Sequence, residues 1–588
     1  MNKQIQSRDY LTLLEGWLRS AEEDLYTPPD RPDLLCYGTG YDHWGVQTNQ
    51  KAMATYAVLA ADPAFDPDRA GYSREVVREK ALKLLRFSLA SHLEGDYHCL
   101  DGRRWGHTWI SVLGLERMMH GVEAIRNYLH DDDEKLLRRV LLSEADWLTD
   151  KYEIRAGLVE NNRPESNLWN GCFLHQVAAL YPDAPGVKKY QEKGTAFLLN
   201  GLSLPSDGLS EEVVSGRKLK EWFVGANFFQ SLALNHHGYL NVGYMVICLS
   251  QVALLHFFCR TSGLNPPEAL YRHAAELWAL VKTFTFPDGR LLRIGGDTRI
   301  RYCYCQDYAV PVWLFAADYL GDEEAVSYEG HWLKTLATEV AAGGDGSFLR
   351  ARLRGLRTVS PLYYTRLEAD RAVSLSMGAY WRRVLKIKGW KKIAGLSQWA
   401  DAYHGACFQK GEKRIVSFCW QAAQPPQLLC LPSAGSTFAE WRENLAGRVF
   451  SLARYHRQEV LQHQEIVFSG GFLVIGQTRI QASSFIAEGQ IDLPVSQGWL
   501  VAAALPDDRT VVVMQKQVAC HSQHLSRVQG LLLNVPNDIF NHCRRVYYAE
   551  REKLKLRGAS GQERIVRFNS SWVNVDDCLG LAVVYGCS

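Results

Sequence analysis

Between two apolar stretches the chain reads SLALNHHGYLNVGYM, which puts His237 seven residues before Tyr244, with His236 and Tyr239 in the same short element. A neutral imidazole accepts a proton near pH 6.5 and a phenol normally donates one. One element therefore offers both halves of an acid–base pair. That is what β-elimination beside a carboxylate requires: in a uronic acid the C5 proton lies α to the carboxylate, one group removes it, and another protonates the glycosidic oxygen leaving C4. A Tyr can also be the base where neighbouring cations lower its pKa. The bland alternative is that these residues fill a helix junction.

A second segment, NNRPESNLWNG, supplies Asn162, Glu165, Asn167 and Trp169. Proton abstraction next to a carboxylate builds an enolate-like dianion, which uncharged amides and Arg stabilise by hydrogen bonding. Asn167, opening a helix beside Trp169, suits that role, and an N-cap at Ser166 or Asn167 competes for it. Arg299, in RIGGDTRIRY, binds the same carboxylate or pairs with Asp297. The segment YGTGYDHWGVQTNQ adds Asp42, His43 and Trp44. Trp44 and Trp169 stand in polar loops, where indole faces stack against sugars; Trp105, Trp109 and Trp222 are weaker candidates. Two other functions use the same residues. An inverting glycoside hydrolase would pair carboxylates from Asp42, Glu165 and Asp297 across a cleft, and a non-catalytic carbohydrate-binding protein would keep the aromatic cleft alone.

These segments need a scaffold. From about residue 8 to 340 the hydrophobic period is helical, with candidate helices at 8–26, 47–61, 72–92, 107–128, 133–150, 167–181, 187–200, 219–234, 242–261, 267–284, 306–319 and 323–341. Several are apolar on more than one face and so pack on both sides. After Gly343 short β-branched or alternating runs take over, among them RAVSLSMGAYW, RIVSFCW, EIVFSGGFLVIGQTRI, RTVVVMQKQVAC, RIVRFNSSW and LAVVYG. The expected fold is α+β and multidomain, an N-terminal (α/α) toroid over residues 1–345 followed by a C-terminal antiparallel β-sandwich over 346–588. No fixed-period repeat supports a solenoid.

Composition narrows the partners. The 588 residues carry 66 Lys+Arg against 64 Asp+Glu, a formal charge of +2, which supplies no global field for nucleic acid or an anionic membrane. No apolar h-region stands near the N-terminus and no uncharged run reaches membrane-spanning length, so cytoplasmic residence is expected, with imported oligosaccharides as the substrate rather than intact polymer. The 14 Cys are scattered as reduced core thiols would be. Cys303 and Cys305 form a C-x-C with no second pair at zinc spacing, so neither a metal nor a cofactor is expected. P-loop, dinucleotide, zincin and elbow-serine motifs are absent. The oligomeric state is left open.

A helical first two-thirds, a strand-rich last third, and N-H-x-G-Y with a second Tyr after E-S-N-x-W resemble the toroid-plus-sandwich polysaccharide lyases of the heparinase II/III-like, alginate lyase and chondroitin/hyaluronate lyase types. In hyaluronate and chondroitin lyases the Tyr sits in a G-x-Y-G-N-V-like turn entering a helix that ends L-S-Q; here His237-Gly238-Tyr239-Leu240-Asn241-Val242 leads to Leu249-Ser250-Gln251. The resemblance implies metal-independent elimination on a uronate-containing glycan by an Asn, a His and a Tyr, carried onto Asn167, His236 or His237, and Tyr239 or Tyr244. That family's His precedes its Tyr by two helical turns, where this chain has Gln230, so the base moves to His236 or His237. Heparinase-like members add a His from the β-domain, for which His404, following Trp399 in WADAYHGACF, is the nearest counterpart.

Overall fold

The computed structural model describes residues 4–586 apart from 394, 425, 442, 443, 445, 487, 488 and 559–564. The long helices are α1 (Ser7–Ala21), α2 (Trp44–Ala61), α3 (Arg74–Ala90), α4 (Ser111–Ile125), α5 (Asp131–Lys151), α6 (Pro164–Leu180), α7 (Val187–Leu199), α8 (Val242–Thr261), α9 (Ala274–Thr283), α10 (Ala309–Asp318), α11 (Glu323–Gly343) and α12 (Pro361–Val384). Their contacts follow a parity rule. Helix α2 touches α4, α4 touches α6, and the series continues through α8, α10 and α12 back to α2; the odd-numbered α1, α3, α7, α9 and α11 pack on α12, α2, α6, α8 and α10 respectively.

The residues account for the two layers. Even-numbered helices such as α2 and α8 are buried on almost every face, and α5 buries one stripe and exposes the other. Helix α8 is long and apolar enough to cross a membrane, but 94% of that stretch is buried inside the protein.

Two expectations are corrected. RAVSLSMGAYW is not a strand but the middle of α12, so the helices run to Val384, well past residue 345. Its alternating Ser and apolar residues are all buried, and Ser374 and Ser376 turn their hydroxyls onto the backbone carbonyls of Asp370 and Val373, at 2.9 and 2.8 Å. Between 219 and 234 only Leu219–Trp222 is helical. Beyond it Leu232 adopts φ of 65°, and Asn227 turns its amide onto the carbonyls of Arg155 and Asn200 at 3.1 and 2.7 Å.

Beyond the helices the strands are antiparallel. β1 (Ser397–Asp401), β2 (Ala406–Lys410), β3 (Arg414–Cys419) and β4 (Gln427–Pro432) form one four-stranded sheet in chain order, and β5 (Tyr455–Phe468), β6 (Gly471–Ile486), β7 (Gly489–Ala504) and β8 (Val511–Ala519) form another. RIVRFNSSW misses its strand: described residues 565–571 are irregular, Arg564 lies outside the described residues, and pairing starts at Trp572. The first sheet is buried on both faces. Cys407, Val416, Phe418 and Leu428 meet Phe472, Val474, Leu500 and Ala502 of the second sheet, whereas Phe408, Ile415, Leu429 and Leu431 join the core shared with the helices. Strand alternation thus couples the helices to the outer sheet through the first.

Charge is also used inside. The fully buried Arg371 guanidinium bridges Asp307 at 2.8 Å and Glu339 at 2.7 Å, joining α12 to α11 and to the start of α10. Removing one partner of a buried pair leaves uncompensated charge. Arg371→Met is expected to cost about 3–5 kcal/mol, read as a lower urea midpoint; a midpoint equal to that of the parent protein would show that the network contributes nothing net.

Candidate active site

A two-residue hairpin turn presents the central histidine. Asn235–His236 pairs with Tyr239–Leu240, and the connecting His237 and Gly238 have φ of 60° and 83°. Two consecutive positive φ values define the tight turn whose twist suits a hairpin, and at its first position a His takes the strain that glycine usually relieves. The chain then enters α8, whose N-cap Asn241 accepts from the Tyr244 amide at 3.2 Å. His237 and Tyr244 are thereby set facing each other, with Nε2 3.2 Å from the Tyr244 hydroxyl.

The third member comes from RIGGDTR. Gly295 passes so close to the hairpin that a Cβ would lie 2.0 Å from the Leu240 carbonyl oxygen, so only glycine fits. Buried Arg293 pairs with Asp297, which accepts from the Tyr239 hydroxyl at 3.2 Å and from the Arg299 amide at 3.0 Å. This scaffold aims Arg299 Nη2 at Tyr244 Oη, 2.7 Å away, and at His237 Nε2, 3.0 Å away. A Tyr, a His and an Arg converge on one point.

They stand in a cleft of about 650 Å³. Trp44 at the start of α2, Trp169 on α6 and Trp109 in the loop before α4 supply indole faces. Glu165 lies one helical turn before Trp169 on the same face of α6, and Arg163, Arg366, Tyr304 and Tyr363 complete the polar wall with His236. His236 packs against the Tyr244 ring at 4.1 Å between centroids, tilted by 34°, and places Nδ1 3.0 Å from Asn162 Oδ1, while the Asn162 amide donates to the Asn235 carbonyl. Asn162 therefore orients a histidine from outside the cleft wall.

Burial and charge set the protonation states. Burial, reinforced by Arg299 and Arg163, pushes His237 down to about 4; burial and the neighbouring His237 push His236 to about 2. Both rings are neutral at pH 7. Burial raises the Tyr244 phenol well above its usual value, against the pull of Arg299, so the proton stays on oxygen. Burial also raises Glu165 to about 7. Its Oε2 has no hydrogen-bond partner among the described residues, and its Oε1 is 3.7 Å from His236 Nε2.

Other residues singled out in the sequence do structural work. Asn167 spends its amide on backbone, donating to the Arg155 and Asn200 carbonyls at 2.7 and 3.1 Å and accepting from the Arg155 amide, so it has no group left for a substrate. Tyr239 is buried against Asp297 and positions the Arg299 loop. His404 is fully buried with Nδ1 2.6 Å from Asp401, whose other oxygen accepts from Ser231, and Trp399 donates to the Ser231 carbonyl at 3.3 Å. These two hold the first sheet to the segment before the hairpin and are not part of the cleft wall. Asp42 and His43 pair with each other at 2.8 Å beside Trp44, also off the wall. Trp105 and Trp222 donate to the carbonyls of Ser88 and Val214 in the core. Buried Cys303 lies 3.2 Å from Arg352 Nη2.

Arg366 and Tyr363 were not foreseen, because they sit in the first turns of a helix whose later residues, RAVSLSMGAYW, read as strand. Their i, i+3 spacing in PLYYTRLEADR was the available signal. No protein-family model matches the chain, and no curated protein matches it.

Proposed function

We propose that the protein is a lyase that cleaves a uronate-containing oligosaccharide or polysaccharide by β-elimination, on an (α/α) toroid followed by a β-sandwich. The closed series of even-numbered helices inside a layer of odd-numbered ones supports the toroid. The two antiparallel sheets sharing one apolar core support the sandwich. One observation carries the chemistry: the Tyr244 hydroxyl and His237 Nε2, 3.2 Å apart, share a single Arg299 nitrogen in an aromatic cleft.

The protonation states assign the roles. Neutral His237 is the base and the protonated Tyr244 phenol is the acid. The substrate carboxylate engages Arg299, whose Nη1, 3.9 Å from Asp297, has no hydrogen-bond partner among the described residues, and protonated Glu165 donates a second hydrogen bond to it. A carboxylate on Arg299 competes for that guanidinium and frees His237 Nε2. The C5 proton passes to Nε2, the electron pair forms the C4=C5 bond, the C4–O bond breaks, and the departing oxygen takes the Tyr244 proton. Transfer from His237 back to the phenolate across the same 3.2 Å resets the site. The hydrolase alternative loses support, since Glu165 is the one carboxylate among the described cleft-lining residues and Asp297 is bound by Arg293 and Tyr239.

The test is direct. Incubation with uronate oligosaccharides is expected to generate the ultraviolet absorbance of a 4,5-unsaturated product. Sugar release with no such chromophore would overturn the lyase reading in favour of hydrolysis.

A further inference from the structure

Behind the aromatic wall lies a cluster whose charges do not balance. Asp370, in the middle of α12, receives Lys51 Nζ at 2.8 Å, Arg366 Nε at 3.7 Å and Arg117 Nη1 at 3.8 Å, and accepts from the Tyr308 hydroxyl at 3.0 Å. The side chains of Lys51, Arg117 and Asp370 are 0% exposed. Burial lowers Lys51 to about 7 and raises Glu116, the other carboxyl near Arg117, well above its usual value, so two guanidinium groups face one ionised carboxylate. None of the three Arg117 guanidinium nitrogens has a hydrogen-bond partner among the described residues, and neither does Arg366 Nε. Surplus buried charge is costly unless an anion joins it.

Arg366 is where this surplus reaches the cleft. Its guanidinium carbon sits 3.6 Å above the Trp44 ring centre and 5.0 Å from that of Tyr304. Arg299 lies 5.7 Å from the same Tyr304 ring. The two guanidinium groups thus share one aromatic neighbour and line the same cleft. Arg299 is engaged by Tyr244 and His237, whereas Arg366 has Asp370 as its charged partner and a flat, stacked guanidinium facing the cleft. A planar guanidinium matches the paired oxygens of a carboxylate or a sulfate ester.

We propose that the Trp44–Arg366 corner is a second anion subsite, which takes an anionic substituent, a sulfate ester or a second carboxylate, on the sugar adjoining the one that is eliminated. The inference rests on the elimination reading for its placement and makes the preferred substrate a glycan with charge on successive sugars.

The test uses three oligosaccharides that share the reactive uronate and carry on the adjoining sugar a hydroxyl, a carboxylate or a sulfate ester. Turnover by ultraviolet absorbance and binding by tryptophan fluorescence are measured for each, in the parent protein and in Arg366→Gln and Arg366→Lys. Expected is a preference for one charged substrate over the neutral one of about 10- to 100-fold in kcat/KM, carried in KM, collapsing at least tenfold in the Gln variant and partly restored in the Lys variant. The larger ratio of the two charged arms tells sulfate from carboxylate. Equal handling of all three substrates by the parent protein, or equal losses on all three in the Gln variant, would overturn the subsite. If no substrate is eliminated, the binding measurement still decides: a charge preference that Arg366→Gln abolishes keeps the subsite while the lyase reading fails, and binding without that preference removes both.

Discussion

Tyr244→Phe is expected to lower kcat by about 10²- to 10⁴-fold, the usual contribution of a positioned acid or base, with the fold intact. The deletion removes one oxygen and leaves the ring packed against His236 at 4.1 Å. It strands no partner, because Arg299 Nη2 and His237 Nε2 remain 3.0 Å apart and satisfy each other. A thermal midpoint close to that of the parent protein therefore accompanies the loss of turnover on uronate oligosaccharides. Tyr239→Phe separates the two phenols. It loosens the Asp297 anchor of the Arg299 loop but removes no proton donor from the cleft, so its loss should be much smaller and should show in KM more than in kcat. Turnover of Tyr244→Phe within tenfold of the parent protein would remove Tyr244 as the acid.

The contrast between these two tyrosines marks how far the sequence could be read. Their types and spacing raised acid–base chemistry as an expectation for the 236–244 segment, and the helical period placed that segment before α8. The choice between Tyr239 and Tyr244 lay in the hairpin register, which turns one phenol into the core beside Asp297 and leaves the other against His237. Asn167 failed for a related reason: an Asn near a helix start can cap, tie loops or bind substrate with the same atoms, and the Arg155 and Asn200 carbonyls that claim it are distant in sequence or in an irregular loop. Arg366 was hidden by secondary structure. Helix α12 is buried on all sides over its second half, so it lacks the amphipathic stripe that identifies a helix, and tertiary packing decides its conformation. Most of the helices were legible, as was the segment that carries His237 and Tyr244; the partition of polar residues between cleft and scaffold was not.

Glu165 gives the second large effect, and its pH dependence makes it diagnostic. The proposed role requires a proton on Glu165, since only the acid form donates to the substrate carboxylate and an ionised form repels it. With the carboxyl raised to about 7, this form is present below that pH and is lost above it. His237 acts only when neutral, which holds above about 4 and fails below. The product of the two fractions gives kcat/KM a plateau at about pH 5–6, an acid limb near 4 and an alkaline limb near 7. Glu165→Ala removes the donor and should reduce kcat by about 10²- to 10³-fold, as loss of one preorganised hydrogen bond to a developing oxyanion does. Glu165→Gln keeps an N–H donor that does not titrate, so it should lose far less and its rate should no longer fall through pH 7. Stability offers an independent check of sign. A carboxyl raised from an unfolded value of about 4.3 binds its proton more tightly when folded, so its stabilising contribution is complete below that value and fades as pH rises through about 7. Glu165→Gln should therefore gain stability relative to the parent protein at pH 8 and not at pH 4. An alkaline limb near 7 that survives in Glu165→Gln would transfer the titration to another group and leave Arg299 as the only partner proposed for the substrate carboxylate.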